Sequence, residues 1–180
     1  MIRRVVTLGG PPGSGKSTAG RLVAEALRLE LRSAGELFRA EAVRHGLTLE
    51  AFGAYALAHP EVDRALDAAM QALAAPGRIL EGRLQGALCR RAGTPVHAIV
   101  VTASEAERAR RVAGRDHLAV EEALRRIRER EESERTRYRS FYGIDLGAAP
   151  SDLTVDSTDL APGAVAQAIL DFLRAAETGP

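Results

Sequence analysis

Four amino acids are rare or missing in this sequence, and each shortage narrows what the chain can be. It contains no asparagine and no tryptophan, one cysteine and one lysine. The single cysteine, Cys89, excludes an internal disulfide and a zinc site built from several thiolates, and it suits a reducing compartment. Every other basic residue is arginine, so Lys16 marks a position that needs a compact ammonium group on a flexible stem.

Long apolar runs and a charge excess are also lacking. The longest stretch without Asp, Glu, Lys or Arg is 92–104, shorter than the roughly 18 apolar residues of a membrane helix. The apolar run at 5–8 is too short for a signal-peptide core of about 7 to 15 residues. We therefore expect a cytoplasmic protein without a membrane segment. The 25 basic and 24 acidic residues give a net charge of +1, so nucleic acid is not an expected partner.

Short apolar runs alternate with longer helical stretches along the 180 residues. This alternation is typical of β-α-β units, in which parallel strands form a sheet with helices on both faces. We therefore predict an α/β fold with a five-stranded parallel sheet flanked by helices. No linker rich in proline, glycine or serine interrupts the chain, so we expect one domain over residues 1–180. The predicted strands are 5–8, about 29–31, 79–80, 96–101 and 153–155.

Helical periodicity and end signals place the helices. Residues 36–75 have room for two or three helices broken at Gly46 and Pro60, which is more than one connection between strands needs. We therefore predict a helical insertion there. Ser104, with Glu107 three residues later, is typical of a capping box at a helix start. The other predicted helices are one beginning at 16 or 17, a long one over 120–141, and one from just after 159 to about 176.

A glycine-rich motif lies between the first predicted strand and the first helix. The residues Gly10-Pro-Pro-Gly-Ser-Gly-Lys-Ser17 fit the phosphate-binding pattern G-x-x-x-x-G-K-[ST] in the strand-loop-helix context that it requires. Backbone N–H groups of such a loop surround a phosphate at the positive end of the helix dipole. We predict that Lys16 reaches the β- and γ-phosphates of ATP and that Ser17 binds Mg²⁺. The predicted ATP-binding residues of the loop are Gly10, Gly13, Ser14, Gly15, Lys16, Ser17 and Thr18.

Proteins with this loop fall into several classes, which the rest of the sequence separates. Common GTPases recognise guanine through Asn-Lys-x-Asp, and this chain has no asparagine. Motor and helicase ATPases place an acidic residue after an apolar strand, whereas the predicted strand 96–101 is followed by Thr-Ala-Ser. A small kinase remains, with its acceptor site in the helical insertion and with arginines from later helices. An ATP-binding regulatory module is the alternative from a different class.

The predicted helix 120–141 supplies those arginines. Between residues 128 and 137 it has no apolar residue, so this stretch faces water or a highly charged ligand. Arg130, Glu134 and Arg137 share one stripe of the helix. Phosphoryl transfer needs positive groups of this kind around the equatorial oxygens of the transferred group. The alternative interpretation is a solvated helix with Glu-Arg pairs, such as Glu121 with Arg125 and Glu131 with Arg135.

Several sequence blocks point to one family over essentially the whole chain. Beside the phosphate-binding loop they are Ser33-Ala-Gly-Glu-Leu-Phe-Arg39, Pro60-Glu-Val-Asp-Arg64, Leu80-Glu-Gly-Arg-Leu84, Arg130-Glu-Glu-Ser-Glu-Arg-Thr-Arg-Tyr138 and Tyr142-Gly-Ile-Asp145. In these blocks the chain resembles the short, archaeal-type cytidylate kinases among the nucleoside monophosphate kinases. The resemblance implies the reaction of ATP with CMP or dCMP to give ADP and CDP or dCDP, in a protein expected to be a monomer. It also implies an NMP-binding insertion over about 36–75 and a short lid over about 111–139.

The resemblance also implies roles for residues at matching positions. The residues expected to bind the acceptor α-phosphate are Arg39 and Arg83, and Gly82 is expected to contribute to the acceptor-binding site. Those expected to bridge the donor and acceptor phosphates are Arg130 and Arg137, and with Lys16 and Arg83 they form the expected catalytic set. Glu134 is expected to orient the two bridging arginines or to touch the ribose. Those expected to stack on adenine and to hold ATP phosphates are Arg111 and Arg115, respectively. Glu81, at the end of the third strand, is expected to hold an Mg²⁺-bound water.

Fewer sequence features indicate which residues recognise the base of the acceptor nucleotide than indicate the phosphate-binding residues. An Asp-Arg pair can read the N4 amino group and the O2 and N3 acceptors of cytosine, and Asp63 with Arg64 is the candidate pair. The alternative interpretation of these two residues is a surface ion pair. The longer bacterial cytidylate kinases carry Asp where this chain has Leu84, after the Gly-Arg of the same block. The alternative acceptors are therefore AMP, UMP or a small hydroxyl-bearing metabolite.

Overall fold

Five parallel strands form the centre of the structure. The computed structural model describes residues 2–178, and its strands lie in the order β2-β3-β1-β4-β5, with every neighbouring pair parallel. The strands are β1 (Val5–Gly9), β2 (Glu30–Ser33), β3 (Arg78–Glu81), β4 (Val96–Thr102) and β5 (Leu153–Asp156). Each predicted strand overlaps an observed one, so the predicted α/β fold with five parallel strands is confirmed.

Helices occupy most of the chain between and after the strands. They are α1 (Lys16–Leu27), α2 (Ala34–Arg44), α3 (Leu49–Ala58), α4 (Pro60–Gln71), α5 (Gln85–Arg91), α6 (Glu105–Asp116), α7 (Val120–Tyr142) and α8 (Pro162–Thr178). The Ser104 hydroxyl accepts a hydrogen bond from the Glu107 backbone N–H at 3.3 Å, so the predicted N-cap of α6 is confirmed. The second bond of the predicted capping box does not form, because the Ser104 N–H donates to the Thr158 hydroxyl and the Glu107 carboxylate binds Arg110 and Arg111. Within residues 2–178, no helix combines the length and the apolar content that a membrane span requires.

Alternation along the central strands gives each face of the sheet its own apolar layer. Val6 and Leu8 of β1 face the layer formed with α1 and α8, in which Ile169 is fully buried. Val5 faces the opposite side and packs near Met70 of α4. The two layers hold helices against both faces of the sheet and fix the direction in which every strand ends.

Three helices lie between β2 and β3, where the sequence predicts a helical insertion over 36–75. The side chains of Ser33 and Thr48 cap α2 and α3 by accepting hydrogen bonds from the first turn of each helix. The insertion has an aromatic contact of its own, because the buried ring of Phe52 meets Phe38 edge to face at 4.8 Å. This packing holds α2 and α3 together beside the sheet.

The strand order brings the ends of β1, β3 and β4 to one edge of the sheet. β1 lies between β3 and β4, and Leu8 is in register with Glu81 on one side and Ile99 on the other. Ligands of open parallel sheets bind outside the carboxyl ends of the strands, where the strand order reverses. The glycine-rich loop that follows β1 lies at this position.

The apolar layer around α8 generates a stability prediction. Replacing Ile169 by alanine leaves a cavity in a fully buried position, so we expect the free energy of unfolding to fall by about 2–5 kcal/mol. Urea unfolding followed by circular dichroism measures this change. Val43→Ala is the control, because Val43 is 77% exposed and its truncation should change stability by less than about 0.5 kcal/mol. Equal stabilities of the two variants would contradict the placement of α8.

Candidate functional site

The loop between β1 and α1 has the backbone that a phosphate-binding loop needs. Gly10, Gly13 and Gly15 have φ angles of 138°, 80° and 84°, in the region that residues with side chains rarely adopt. Gly15 is also the N-cap residue of α1, so Lys16 and Ser17 begin the helix. The positive end of the α1 dipole therefore points at the loop, which favours an anion there.

Lys16 lies in an acidic and largely buried setting. Its Nζ is 3.7 Å from Oε1 of Glu81, and its side chain is 15% exposed. Burial lowers the pKa of Lys16 to about 8, while the negative charge of Glu81 raises it and the positive charges of Arg130 and Arg83 lower it further. The ammonium is mostly protonated at neutral pH, and it lies within electrostatic reach of two predicted site arginines.

Ser17 and Glu81 form a pair of oxygen ligands beside Lys16. The Ser17 hydroxyl donates a hydrogen bond to Oε1 of Glu81 at 3.0 Å, and the Glu81 side chain is 6% exposed. Oxygen ligands are the ones that Mg²⁺ prefers. Over residues 2–178, no three His, Cys, Asp or Glu side chains come together as a cation site. The pair therefore fits an ion that takes its other ligands from nucleotide oxygens and water.

Glu134 of α7 lies between two predicted site arginines. It accepts a hydrogen bond from Nε of Arg130 at 2.8 Å, and Nη1 of Arg83 is 3.3 Å from its other oxygen. Burial acts to raise the pKa of Glu134, but the charges of Arg130 and Arg83 outweigh burial and lower it. The carboxylate is thus ionised. The Arg83 contact lacks hydrogen-bond geometry, which leaves Nη1 of Arg83 and Oε2 of Glu134 buried without a hydrogen-bond partner in the described structure.

Asp63 pairs with Arg137, so the alternative interpretation of a surface ion pair between Asp63 and Arg64 is wrong, whereas recognition of cytosine by these two residues stays a prediction. Nη1 of Arg137 donates to both carboxylate oxygens of Asp63, at 2.7 and 2.8 Å, and both residues are buried. Successive residues of a helix point about 100° apart, so Arg64 leaves the interface that Asp63 enters and is exposed. The guanidinium of Arg137 also lies 5.1 Å from the centre of the Phe38 ring.

The charged part of α7 is more buried than its sequence predicts. The stretch 128–137 was expected to face water or a charged ligand, yet Glu134 and Arg137 are only 3% and 4% exposed. They are buried against charged partners and not against an apolar core. Both Glu-Arg pairs that the solvated interpretation predicts are wrong. Glu131 binds Arg108 of α6, and Arg135 binds Glu132. Arg125 binds Glu122 and Glu129 instead of Glu121.

Arg111 and Arg115 of α6 have different surroundings. Arg111 donates to the hydroxyl and carbonyl oxygens of Ser157 at 2.9 and 2.7 Å and to Glu107. Its Nη1 would be 3.6 Å from a Cβ atom at Gly15, so its guanidinium borders the phosphate-binding loop. Arg115 is largely exposed and pairs with its neighbour Asp116. The structure thus places the guanidinium of Arg111 at the edge of the loop, whereas that of Arg115 pairs with Asp116.

The remaining predicted residues lie in the phosphate-binding loop, on α1, after β3 and on α2. Ser14 is fully buried in the loop, and its backbone carbonyl accepts a hydrogen bond from the Ser157 hydroxyl at 2.8 Å. Thr18 is exposed on the first turn of α1. Gly82 continues β3, and its backbone N–H donates to the carbonyl of Leu8 at 3.0 Å. Arg39 is exposed on α2, with Nη1 near Gly35 on the same helix.

Two polar residues near the site, the buried Arg108 and the half-buried Asp67, have no clear sequence signal. Arg108 of α6 contacts the phosphate-binding loop through the carbonyl of Pro12. Asp67 of α4 accepts hydrogen bonds from the Tyr142 hydroxyl at 2.7 Å and from the Gln85 amide at 3.1 Å. Both residues depend on partners that are distant in sequence. Only the packing of the helices brings these partners together.

Sequence comparisons place the chain among known proteins. A family model described as an AAA domain matches residues 9–145. The chain is 40% identical over 171 residues to a protein named cytidylate kinase from Pyrobaculum neutrophilum, which covers 94% of this chain and 92% of that protein. It is 39% identical over 155 residues to a protein of the same name from Methanothrix thermoacetophila, with coverage of 85% and 88%.

Solved structures share the fold at lower sequence identity. A shikimate kinase from Acinetobacter baumannii in complex with shikimate matches with a TM-score of 0.61 at 19% identity, covering 98% of this chain and 96% of that chain. A gluconokinase from Sinorhizobium meliloti matches with a TM-score of 0.63 at 17% identity, with coverage of 97% and 94%. At these identities the likeness shows a common fold only.

The half-buried position of Asp67 generates a pH prediction. Burial raises the pKa of Asp67 to about 6, with a further contribution from the negative charge of Asp63. The folded protein therefore binds this proton more readily than the unfolded chain, whose aspartates titrate near 4. The resulting stabilisation is complete below about pH 4 and is lost as the pH rises through about 6.

Asp67→Asn removes this titration. Between pH 7.5 and pH 5, wild type should gain about 1 kcal/mol of unfolding free energy relative to the variant, as urea unfolding at the two pH values measures. The Glu61→Gln variant is the control, because Glu61 lies on the exposed side of the same helix. If wild type and Asp67→Asn change in parallel with pH, the pKa of Asp67 is not raised by burial.

Proposed function

The chain belongs to the cytidylate kinase family, and we propose that it transfers the γ-phosphoryl group of ATP to CMP and dCMP, giving ADP and CDP or dCDP. One structural observation carries the choice of a kinase: the cluster of cations extends beyond the phosphate-binding loop. Arg83 and Arg130 are close enough to Lys16 to lower the pKa of its ammonium. A site that joins two phosphate chains needs such a set, whereas a module that only binds ATP does not. The relatives named cytidylate kinase support CMP as the acceptor.

On the donor side, the phosphate-binding loop holds the ATP phosphates. The backbone of residues 13–18 lies at the N-terminus of α1, and the Lys16 ammonium supplies a compact positive charge. Arg111, fixed by Ser157 and Glu107 at the edge of the loop, is the candidate for stacking on adenine. Arg115, which is exposed beside Asp116, has to leave this partner to bind an ATP phosphate.

We propose that Mg²⁺ accompanies ATP at the oxygen pair beside Lys16. Ser17 would bind the ion directly, and Glu81 would hold one of its water ligands. When bound, the ion supplies positive charge that neutralises the phosphate oxygens. The hydrogen bond between Ser17 and Glu81 keeps the two oxygens close together and oriented before the nucleotide arrives.

On the acceptor side, arginines provide the positive charge. Arg39 and Arg83 are proposed to bind the acceptor phosphate, and Arg130 and Arg137 to span the transferred group. Glu134 fixes Arg130 and lies next to Arg83, so the side chains are oriented in advance. The acceptor phosphate oxygen attacks the γ-phosphorus directly, which needs positioning and charge neutralisation but no nucleophile from the protein.

The contact of Asp63 with Arg137 adds to the proposed role of Asp63. Its carboxylate binds Arg137 instead of Arg64. We propose that Asp63 acts on the acceptor through Arg137, which it holds by one terminal nitrogen. Nε of Arg137 is buried without a hydrogen-bond partner in residues 2–178 and can donate to a phosphate oxygen. Reading of cytosine by Asp63 and Arg64 stays a prediction.

We also propose that the protein works as a monomer in the cytoplasm, independently of nucleic acids and membranes. The near balance of acidic and basic residues supports the absence of a nucleic-acid partner. The buried free thiol of Cys89 supports a reducing compartment.

The function is tested by ADP release from Mg-ATP with CMP, dCMP, UMP, AMP, GMP or dTMP as the single acceptor. We expect strong stimulation by CMP and dCMP. In the Lys16→Ala variant kcat should fall by 100-fold or more, a barrier increase on the order of 3 kcal/mol, because a preorganised positive charge is lost. Arg21→Gln is the control, since Arg21 is exposed on the same helix.

Other outcomes of this assay identify the rival functions. Preference for AMP or UMP would assign a different nucleotide acceptor. Stimulation by no nucleotide would keep the ATP site but discard the nucleotide acceptor in favour of a hydroxyl-bearing metabolite or a regulatory ATPase. Activity of Lys16→Ala close to wild type would contradict the assignment of the phosphate-binding loop.

Arg83 provides a separate test of the acceptor side. Replacing it by alanine should raise the KM for CMP, because one of two proposed phosphate-binding arginines is removed. Mg-ATP affinity, measured by calorimetry without acceptor, should change little. A large loss of Mg-ATP affinity would instead place Arg83 on the donor phosphates.

A further inference from the structure

Arg108 is a buried cation that none of the roles above uses. It lies on the first turns of α6 and is 7% exposed. Its Nε donates to the carbonyl of Ala103 at 3.2 Å, and its Nη1 donates both to the carbonyl of Pro12 at 3.3 Å and to Glu131 at 2.5 Å. The guanidinium thus joins the end of β4, the phosphate-binding loop and α7.

The backbone of Arg108 also touches the loop. A Cβ atom at Gly13 would lie 2.7 Å from the carbonyl oxygen of Arg108 and 3.0 Å from its Cα, so only glycine fits between the loop and α6. Gly13 is one of the loop residues with a positive φ angle. The conformation of the loop at Pro12 and Gly13 therefore depends on where α6 lies.

Glu131 links Arg108 to α7, the helix that contains Arg130 and Arg137, the two arginines proposed to span the transferred group. It is adjacent in sequence to Arg130, whose Nε donates to Glu134 one turn further along α7. α6 and α7 also share an apolar seam that includes Ala109 and Ile127, so the two helices pack directly. A displacement of Glu131 would therefore displace Arg130 with it.

We propose that Arg108 is a positioning residue that couples the phosphate-binding loop to α7 and so fixes Arg130 relative to Lys16. A single nitrogen, Nη1, contacts both the Pro12 carbonyl and Glu131, so neither contact can move without straining the other. This inference rests on the proposed kinase activity for its kinetic consequences. The expected effect of Arg108 on ATP affinity is independent of which acceptor the protein uses.

The test replaces Arg108 by methionine, which keeps a long stem but removes the charge. Because a misplaced loop and a misplaced Arg130 affect the donor side, the KM for ATP should rise and kcat should fall. We expect kcat/KM for ATP to decrease by about 10- to 100-fold. The KM for CMP should stay within about twofold of wild type, since the proposed acceptor ligands Arg39, Arg83 and Arg137 do not contact Arg108. Arg108→Lys, which keeps the charge, should restore part of the loss.

Arg128→Met is the matched control. Arg128 joins the same two helices through Glu105 at 2.7 Å, but on the exposed side and away from the loop. Its loss should leave both KM values and kcat near those of wild type. Glu131→Gln should reproduce the Arg108→Met defect in part. In the Arg108→Met/Glu131→Gln double variant, the fold-decrease of kcat/KM for ATP should be smaller than the product of the two single fold-decreases, because the two side chains act through one contact.

Direct Mg-ATP binding separates this proposal from the proposed function. Calorimetry without acceptor should show weaker binding by Arg108→Met than by Arg128→Met, even if no nucleotide stimulates turnover. If Arg108→Met does not fold, Arg108→Lys and Glu131→Gln make the same comparison. Unchanged Mg-ATP affinity and unchanged kcat in the folded variants, with only a lower unfolding temperature, would overturn the proposal and reduce Arg108 to a structural ion pair.

Discussion

The site depends on keeping several cations together in a small, largely buried volume. Like charges repel strongly where water is excluded, so each cation needs an anionic partner before any phosphate arrives. The structure supplies each partner from a different element: Glu81 of β3 for Lys16, Glu134 of α7 for Arg83 and Arg130, and Asp63 of α4 for Arg137. These carboxylates therefore also tie the loop, the sheet and the helical insertion to one another.

Burial of such pairs does not by itself argue for stability. Removing both charges from water has a cost that the attraction within a pair often only offsets. What the pairs provide is orientation, because an arginine that is already held by a carboxylate loses less freedom when it binds a phosphate. Preorganised charge of this kind is the main source of catalysis when no covalent chemistry is required of the protein. The buried atoms of Arg83 and Arg137 that lack hydrogen-bond partners in residues 2–178 fit this interpretation.

Features set by local sequence were predictable, whereas features set by helix packing were not. The strands, the glycine-rich loop and the Ser104 cap each follow from neighbouring residues, and the structure confirms them. The partner of Asp63 is Arg137, which lies 74 residues away on α7. Proximity in sequence favours the adjacent Arg64 instead. Likewise Glu131 had Arg135 one turn away, yet it binds Arg108 because α6 packs against α7. In an arginine-rich chain, a carboxylate has many candidate partners, and spacing along one helix cannot choose among them.

Helix α7 explains why a stretch without apolar residues can still be buried. Ala123 and Ile127 face α6 in its first half, and the same stripe continues at three- and four-residue steps through Arg130, Glu134 and Arg137. The stripe faces inward along its length, but its chemistry changes from apolar to charged after Ile127. That change marks where the core ends and the phosphate site begins. Hydrophobic periodicity predicts that the first half of α7 packs against the protein core and that the second half is exposed to solvent. The structure shows one inward stripe with two kinds of partner.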